Sequence, residues 1–459
     1  FYDDALNFIG HATGYPTDSK NKPSGNQDLS TEVGFFANAN YMYNNRYYAD
    51  FVYRLSGSSK FGSNQRYGQF WSGGLGWNLH NENFLKFEKL NLLKIRGSVG
   101  YTGKVNFEPF QSITMYKYEN TLEYLHGIGA IPQTIGNDDL KWEREFSYNI
   151  GADISLFDRR LNATLDFYLK RTKDLVLDAS IAPSTGVVSG KQNIGEMENK
   201  GFEFSVDGFI IQRNDVWWQL GMNGSTNKNR ILKISNALKR QNELNNDVAP
   251  TRQTPAPLAQ YEEGESTSAL KVVRSAGIDP ATGREVFIKL DGTRTFTYSA
   301  DDKVVVGDTD PRFYGNVYTN VFYKGFSLYI MGSFKCGGYL YNVTRASRVE
   351  GTTGRTNVDR RAFDSRWKEV GDIALYRNIT EHSVPQQTDR FVEKENVLTI
   401  TSVNLGYEFP QRICQKMMLR NLRLGVNLSD ILRFSNVKVE RGLDYLYGNG
   451  FEFTLSTTF

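Results

Sequence analysis

The final stretch, Phe451-Glu452-Phe453-Thr454-Leu455-Ser456-Thr457-Thr458-Phe459, alternates apolar and polar residues and stops on an aromatic. Successive side chains of a strand point to opposite faces, so Phe451, Phe453, Leu455 and Phe459 share one face and Glu452, Thr454, Ser456 and Thr458 the other. One face wants oil and the other water. A strand of about nine residues, once tilted, crosses a bilayer.

The same period of two recurs along the chain. Val33, Phe35, Ala37, Ala39, Tyr41 and Tyr43 form one stripe, and Phe146, Tyr148, Ile150, Ala152, Ile154 and Leu156 form another. Leu161, Ala163, Leu165, Phe167 and Leu169 continue it after the turn Phe157-Asp158-Arg159-Arg160. Phe202, Phe204, Val206 and Ile210 precede the turn Arg213-Asn214-Asp215, and Trp218, Leu220 and Met222 follow it. Aromatics beside such a turn fit an interfacial girdle. Further strands are predicted at about 47–58, 65–78, 91–103, 312–322, 326–340, 397–408, 419–430 and 448–459, roughly thirteen in all.

Loop lengths sort by parity. Connections 44–46, 79–90, 157–160, 213–215, 323–325 and 409–418 are compact, whereas most of 59–64, 104–142, 175–198, 229–311, 341–396 and 431–447 are long. Outer-membrane barrels have short periplasmic turns and long outward loops. Compact soluble domains rarely hold structureless loops of this length. Residues 1–30 then fall in an outward loop, and a thirteen-stranded sheet with two raw edges needs further strands to close in lipid.

Composition agrees. The 26 Tyr, 30 Phe and 42 Gly against 12 Pro suit many strands with one polar face. No apolar run of about eighteen residues exists, which excludes helical membrane spans. The net charge of +3 is interspersed, without the basic blocks that nucleic acid requires. Cys336 and Cys414 lie far apart, with no zinc or disulfide spacing. The chain opens at Phe1 with no Met, which reads as a mature fragment.

Chemistry-bearing motifs are sparse. His11, His80, His126 and His382 lie in different segments and form no HExxH pair. Glu262-Glu263 and Asp301-Asp302 are adjacent, so on a strand they face opposite ways and fit solvated charge better than an acid and base pair. Asp279 with Gly283, and Asp308 with Asp310, lack the spacing of an EF-hand and suit Asx turns. Gly332, Gly337 and Gly338 form no phosphate loop and suit bends in a strand. No catalytic residue, metal site or cofactor is expected.

Several segments resemble one family in order. Leu93-Lys94-Ile95-Arg96-Gly97-Ser98-Val99-Gly100-Tyr101-Thr102-Gly103 is similar to the "LKLRASYGxTGN" strand of SusC/RagA-type TonB-dependent transporters, the outer-membrane nutrient importers of Bacteroidota. Asn137-Asp138-Asp139-Leu140-Lys141-Trp142-Glu143 resembles "NPDLKWE", with Asp138 in place of the usual Pro. Asn193-Ile194-Gly195 with Asn199-Lys200-Gly201-Phe202-Glu203 resembles "NIGxxxNKGFE". Gly277-Ile278-Asp279-Pro280-Ala281-Thr282-Gly283 resembles "GxDPxTG", and Val306 to Gly315 resembles "IGxxDPxFxGG". Tyr323-Lys324-Gly325-Phe326 and Val403-Asn404-Leu405-Gly406-Tyr407 match later strand signatures, while the stretch from Arg284 onward is this protein's own.

The resemblance implies an all-β fold, with residues 1–459 as the C-terminal part of an antiparallel transmembrane barrel of about twenty-two strands. The plug domain and TonB-contacting segment of the family are absent from this chain. The expectation for Phe1 is either nicking at the cell surface or an N-terminal half outside this chain. The implied function is import of oligomeric glycans or peptides with a SusD-like lipoprotein as lid, in dimers of such pairs, energised by TonB-ExbB-ExbD through the N-terminal part. Expected substrate contacts are Tyr116, Tyr118, Tyr124 and His126 in loop 104–142, Trp367 and Tyr376 in 341–396, and Tyr445 and Tyr447 near the last outward turn, with loop packing as the competing role. Loops 229–311 and 341–396, the largest, are expected to bind the lid. A secreted β-rich glycan-binding or glycan-cleaving protein is the alternative, and a siderophore or cobalamin importer is a lesser one. A soluble protein would bury the apolar stripes, and a barrel would show them to lipid.

Overall fold

The computed structural model describes residues 28–124, 127–180, 186–187, 189–248, 255–352, 358–381, 383–438 and 448–458. His126, His382, Tyr445 and Tyr447 lie outside the described residues. In chain order the first strands are β1 (Glu32–Tyr43), β2 (Tyr47–Ser58), β3 (Tyr67–Asn78), β4 (Leu90–Lys104), β5 (Met115–Tyr124) and β6 (Gly127–Thr134). Next come β7 (Glu143–Leu156), β8 (Leu161–Ser180), β9 (Ser189–Arg213), β10 (Val216–Lys233) and helix α1 (Asn236–Val248). Short strands β11 (Ala269–Ile278), β12 (Glu285–Ile288), β13 (Arg294–Thr295) and β14 (Lys303–Asp308) follow. The remainder is β15 (Phe313–Tyr323), β16 (Phe326–Tyr341), α2 (Arg361–Asp364), β17 (Val392–Glu408), α3 (Gln411–Lys416), β18 (Asn421–Ser435) and β19 (Gly450–Thr458).

Thirteen of these strands form one antiparallel sheet in the order β1-β2-β3-β4-β7-β8-β9-β10-β15-β16-β17-β18-β19. Register aligns the apolar stripes across it. Ala39 faces Phe51, Phe51 faces Gly73, Gly73 faces Val99, and Val99 faces Tyr148. At the other end Leu328 faces Leu405, Leu405 faces Val426, and Val426 faces Phe453. The stripe is uncovered, with Phe453 80% exposed and Phe35 67%. No second sheet lies on it among the described residues, so the stripes are not buried as the secreted β-rich alternative requires.

Two aromatic bands edge the belt. Toward the short turns Tyr47 stacks on Trp77 at 6.2 Å and Phe326 meets Tyr407 at 4.4 Å. Toward the long connections Tyr101 meets Phe146 at 4.6 Å, and Phe167, Phe202, Phe204, Phe313 and Phe334 follow in sequence around the wall. Aromatic girdles at both interfaces, Tyr and Trp toward the short turns and mostly Phe toward the long connections, match an outer-membrane barrel.

The short turns lie at one rim for a local reason. Asn44 and Asn45 take φ of 51° and 52° in the three-residue turn 44–46, and Lys324 and Gly325 take 46° and 92° in the two-residue turn 324–325, left-handed conformations that reverse the chain tightly. At Gly325 a Cβ would lie 2.7 Å from the Glu408 carbonyl oxygen, so glycine is required.

The opposite rim departs from expectation. The segment 175–198 is mostly strand, because β8 and β9 run on for 20 and 25 residues where about ten suffice to cross. Above the bilayer both faces meet water, so alternation fades at Lys170-Arg171-Thr172-Lys173 while the hydrogen-bond ladder continues. Segment 104–142 carries the β5–β6 hairpin, and 229–311 carries α1 and a four-stranded sheet ordered β13-β12-β11-β14.

Candidate functional site

The two largest outward segments fold together as one module. β11 pairs with β14 and β12, and Leu270, Val272, Tyr341, Ala346 and Phe391 close a core between this sheet and segment 341–391. The Val273 amide donates to the Gln387 carbonyl at 3.0 Å, and the Ser275 amide donates to Asp389 Oδ1 at 2.9 Å. Asp279 Oδ2 accepts from the Thr282 amide and hydroxyl at 3.1 and 2.6 Å, an Asx turn that ends at Gly283 with φ of 68°. Asp308 Oδ1 accepts from the Asp310 amide at 3.0 Å in the same manner. Both acidic motifs therefore build turns.

A buried ionic hub joins the halves. Arg390 donates from Nε and Nη2 to Glu285 at 2.7 and 2.8 Å, and from Nη2 and Nη1 to Glu350 at 2.7 and 2.9 Å. Arg377 Nε donates to Glu350 Oε1 at 2.7 Å, and Thr388 donates its hydroxyl to Glu285 at 2.8 Å. The Glu350 side chain is fully buried and that of Glu285 nearly so. Burial opposes charge on Arg390, yet the facing Glu285 and Glu350 outweigh it and hold the guanidinium proton above its ordinary pKa. Burial also raises the hydroxyls of Tyr341 and Tyr298, each further raised by Glu285. Arg366 donates to the carbonyls of Ala362, Val349, Glu350 and Arg377 at 2.8–3.0 Å, which satisfies its fork without a carboxylate.

The lumen wall is polar and cross-braced. Arg96 bridges Asp166 at 2.6 Å and Asp153 at 3.2 Å, and its Nη1 donates to Asn149 at 3.4 Å. Gly151 permits this, since a Cβ there would lie 2.6 Å from Asp166 Oδ1 and 2.7 Å from the Arg96 guanidinium. Asp207 accepts from Asn162 and Gln219 at 3.3 and 3.2 Å. A recess of about 380 Å³ in this wall is lined by Thr164, Asp166, Glu203, Ser205, Asn223 and Asn316, among others. Such a surface presents hydrogen-bond donors and acceptors to a hydrophilic cargo.

A family model described as "TonB dependent receptor-like, beta-barrel" matches residues 1–427. The chain belongs to this family. Its members are outer-membrane receptors and transporters, not enzymes. "TonB-dependent receptor P3" of Formosa agariphila is 28% identical over 434 residues, covering 90% of this chain and 42% of that protein. "TonB-dependent receptor SusC" of Bacteroides thetaiotaomicron is 35% identical over 214 residues, 45% of this chain and 21% of that one. The fold is similar to the solved RagAB peptide transporter, with a TM-score of 0.78 and 24% identity over 92% of this chain and 46% of that chain. The chain spans less than half the length of the curated relatives it matches. The chain is thus a TonB-dependent receptor-like barrel that is similar to SusC over part of its length and shares the RagAB fold.

The expected contact residues of this receptor barrel part company. Tyr116 is 64% exposed on the outward β5–β6 hairpin, and Tyr118 and Tyr124 lie on the same strand. Trp367 and Tyr376 are only 8% and 4% exposed. Trp367 donates Nε1 to the Pro280 carbonyl at 2.9 Å and lies against Gly283, while Tyr376 packs with Val349 and Ala362. Both rings serve the module's interior and leave no face for stacking, which corrects the expectation for these two. Sequence reasoning missed Arg96, Asp153 and Asp166, whose positions opposite the apolar stripe were the available signal.

Proposed function

We propose that this chain forms the C-terminal wall and outward module of an active importer of oligomeric nutrients, glycans or peptides. The observation that carries the reading is sidedness: one apolar belt, one polar lumen, and the long folded excursions at one rim, opposite the compact connections. A SusD-like lipoprotein would close over the module built from segments 255–312 and 342–391, in dimers of such pairs. The rigidity of that module, tied by Glu285, Glu350 and Arg390, supports a docking role for a lid better than separate loops would. Tyr116, Tyr118 and Tyr124 are the proposed aromatic contacts for cargo beneath the lid. Energy would arrive from TonB-ExbB-ExbD through the N-terminal part of the complete protein.

The test is uptake. Deletion of the complete gene should abolish growth on the oligomeric nutrient while leaving growth on its monomers intact, and a tagged receptor should co-purify with the lipoprotein. Unchanged growth on every oligomer tried contradicts the importer reading.

A further inference from the structure

Above the outward aromatic band, the belt's own face turns basic. In register, Leu169 of β8 faces Lys200 of β9, and Lys200 faces Lys228 of β10, one step beyond Phe167 and Phe202. Like charges directly opposed across an antiparallel pair repel. Arg230 follows on the same face of β10, and Arg312 directly precedes Phe313. All four cations are exposed, and none forms an ion pair among the described residues.

The wall opens at this point. The β10–β15 ladder ends at Ser225 opposite Tyr314, while β10 continues along β9 to Lys233. Higher up, the Ile231 amide donates to the Glu265 carbonyl at 2.7 Å and the Gly264 amide to the Ile231 carbonyl at 2.8 Å. Between these two closures lies a cavity of about 1020 Å³, lined by Lys200, Lys228, Arg230 and Arg312. Four carboxylates also border it. Glu265 is paired with Lys271 at 2.7 Å, which leaves Glu198, Asp310 and Asp308, the last accepting from the Ser268 hydroxyl at 2.5 Å, against four unpaired cations.

We propose that this cavity binds the phosphate of an outer-leaflet lipid headgroup, whose acyl chains descend over Phe167, Phe202, Phe204 and Phe313. The inference rests on the membrane reading of the barrel and not on its cargo. Height carries it: interfacial aromatics mark the headgroup level, and Lys200 stands two residues beyond Phe202 on the same lipid-facing side, with Lys228 directly opposite it. A phosphate between Lys200 and Lys228 turns a repulsive pair into charge-assisted hydrogen bonds.

The complete receptor, in nanodiscs of phosphatidylcholine doped with bis-phosphorylated lipid A or with its dephosphorylated form, tests this by native mass spectrometry. Wild type should retain phosphorylated lipid A about tenfold better than the Lys200→Gln/Lys228→Gln variant, with no preference for the dephosphorylated form. The control pair Arg360→Gln/Lys368→Gln, also exposed cations, should retain it as wild type does. Unfolding on heating in detergent verifies that each variant keeps its barrel. Equal retention by wild type and the Lys200/Lys228 variant overturns the proposal. So does retention of inorganic phosphate by the receptor without retention of phosphorylated lipid A, which would make this a soluble-anion site. Growth on oligomers reports on import separately, so the two readings fail independently.

Discussion

The wall and the outward module are held together by opposite means. In the wall, stability resides in a backbone ladder whose side chains meet oil on one face and water on the other, so few large apolar side chains are buried within the protein. In the module, Val272, Phe391 and Ala346 are fully buried and an ionic hub lies at the centre, as in a water-soluble domain. The contrast teaches that one chain satisfies two solvents by changing what it buries and keeping its strands continuous.

The largest separation between the regions should come from the hub. Arg390→Met leaves Glu285 without its cation and Glu350 with Arg377 alone, and breaking a buried pair costs about 3–5 kcal/mol. Hydrogen exchange should accelerate across 269–308 and 342–391, while β2 to β4 stay protected. Exchange rising equally in both would erase the distinction. Phe453→Arg probes the other side. A charge at the lipid face costs about 2–4 kcal/mol near the bilayer midplane, so the barrel's folding midpoint in lipid should fall while exchange in the module is unaltered.

The smallest effect concerns pH. Burial lowers Lys303 to about 8, with neighbouring Lys271 adding to the fall and Asp301 opposing it. A lysine whose folded pKa is depressed penalises the folded state wherever it is charged. The penalty is full below about 8 and disappears as pH rises toward the unfolded value of about 10.4. Module stability followed by proteolysis should therefore rise between these limits, and Lys303→Met should flatten that rise.

Strand number and sidedness were legible because lipid imposes a strict alternation on each crossing segment, as in Phe146 to Leu156 and Phe451 to Leu455. The reach of β8 and β9 was not, since Lys170 to Asp174 lie where both faces are wet and no apolar pattern is required. The module was also hidden. Glu285, Glu350 and Arg390 look like ordinary loop charges until folding brings residues 105 positions apart within 2.7 Å. Trp367 and Tyr376 were singled out as loop aromatics, but ring chemistry alone does not tell a stacking platform from a core residue.

Sidedness itself is best tested by labelling. With Cys336 and Cys414 replaced, single cysteines at Asp158, in a short turn, and at Asp372, in the module, should be challenged in intact cells with a membrane-impermeant thiol reagent. The cysteine at 372 should be labelled at once and the one at 158 only after the outer membrane is breached. Equal labelling of both in intact cells, or the reverse order, would contradict the barrel's orientation and the sidedness on which its function rests.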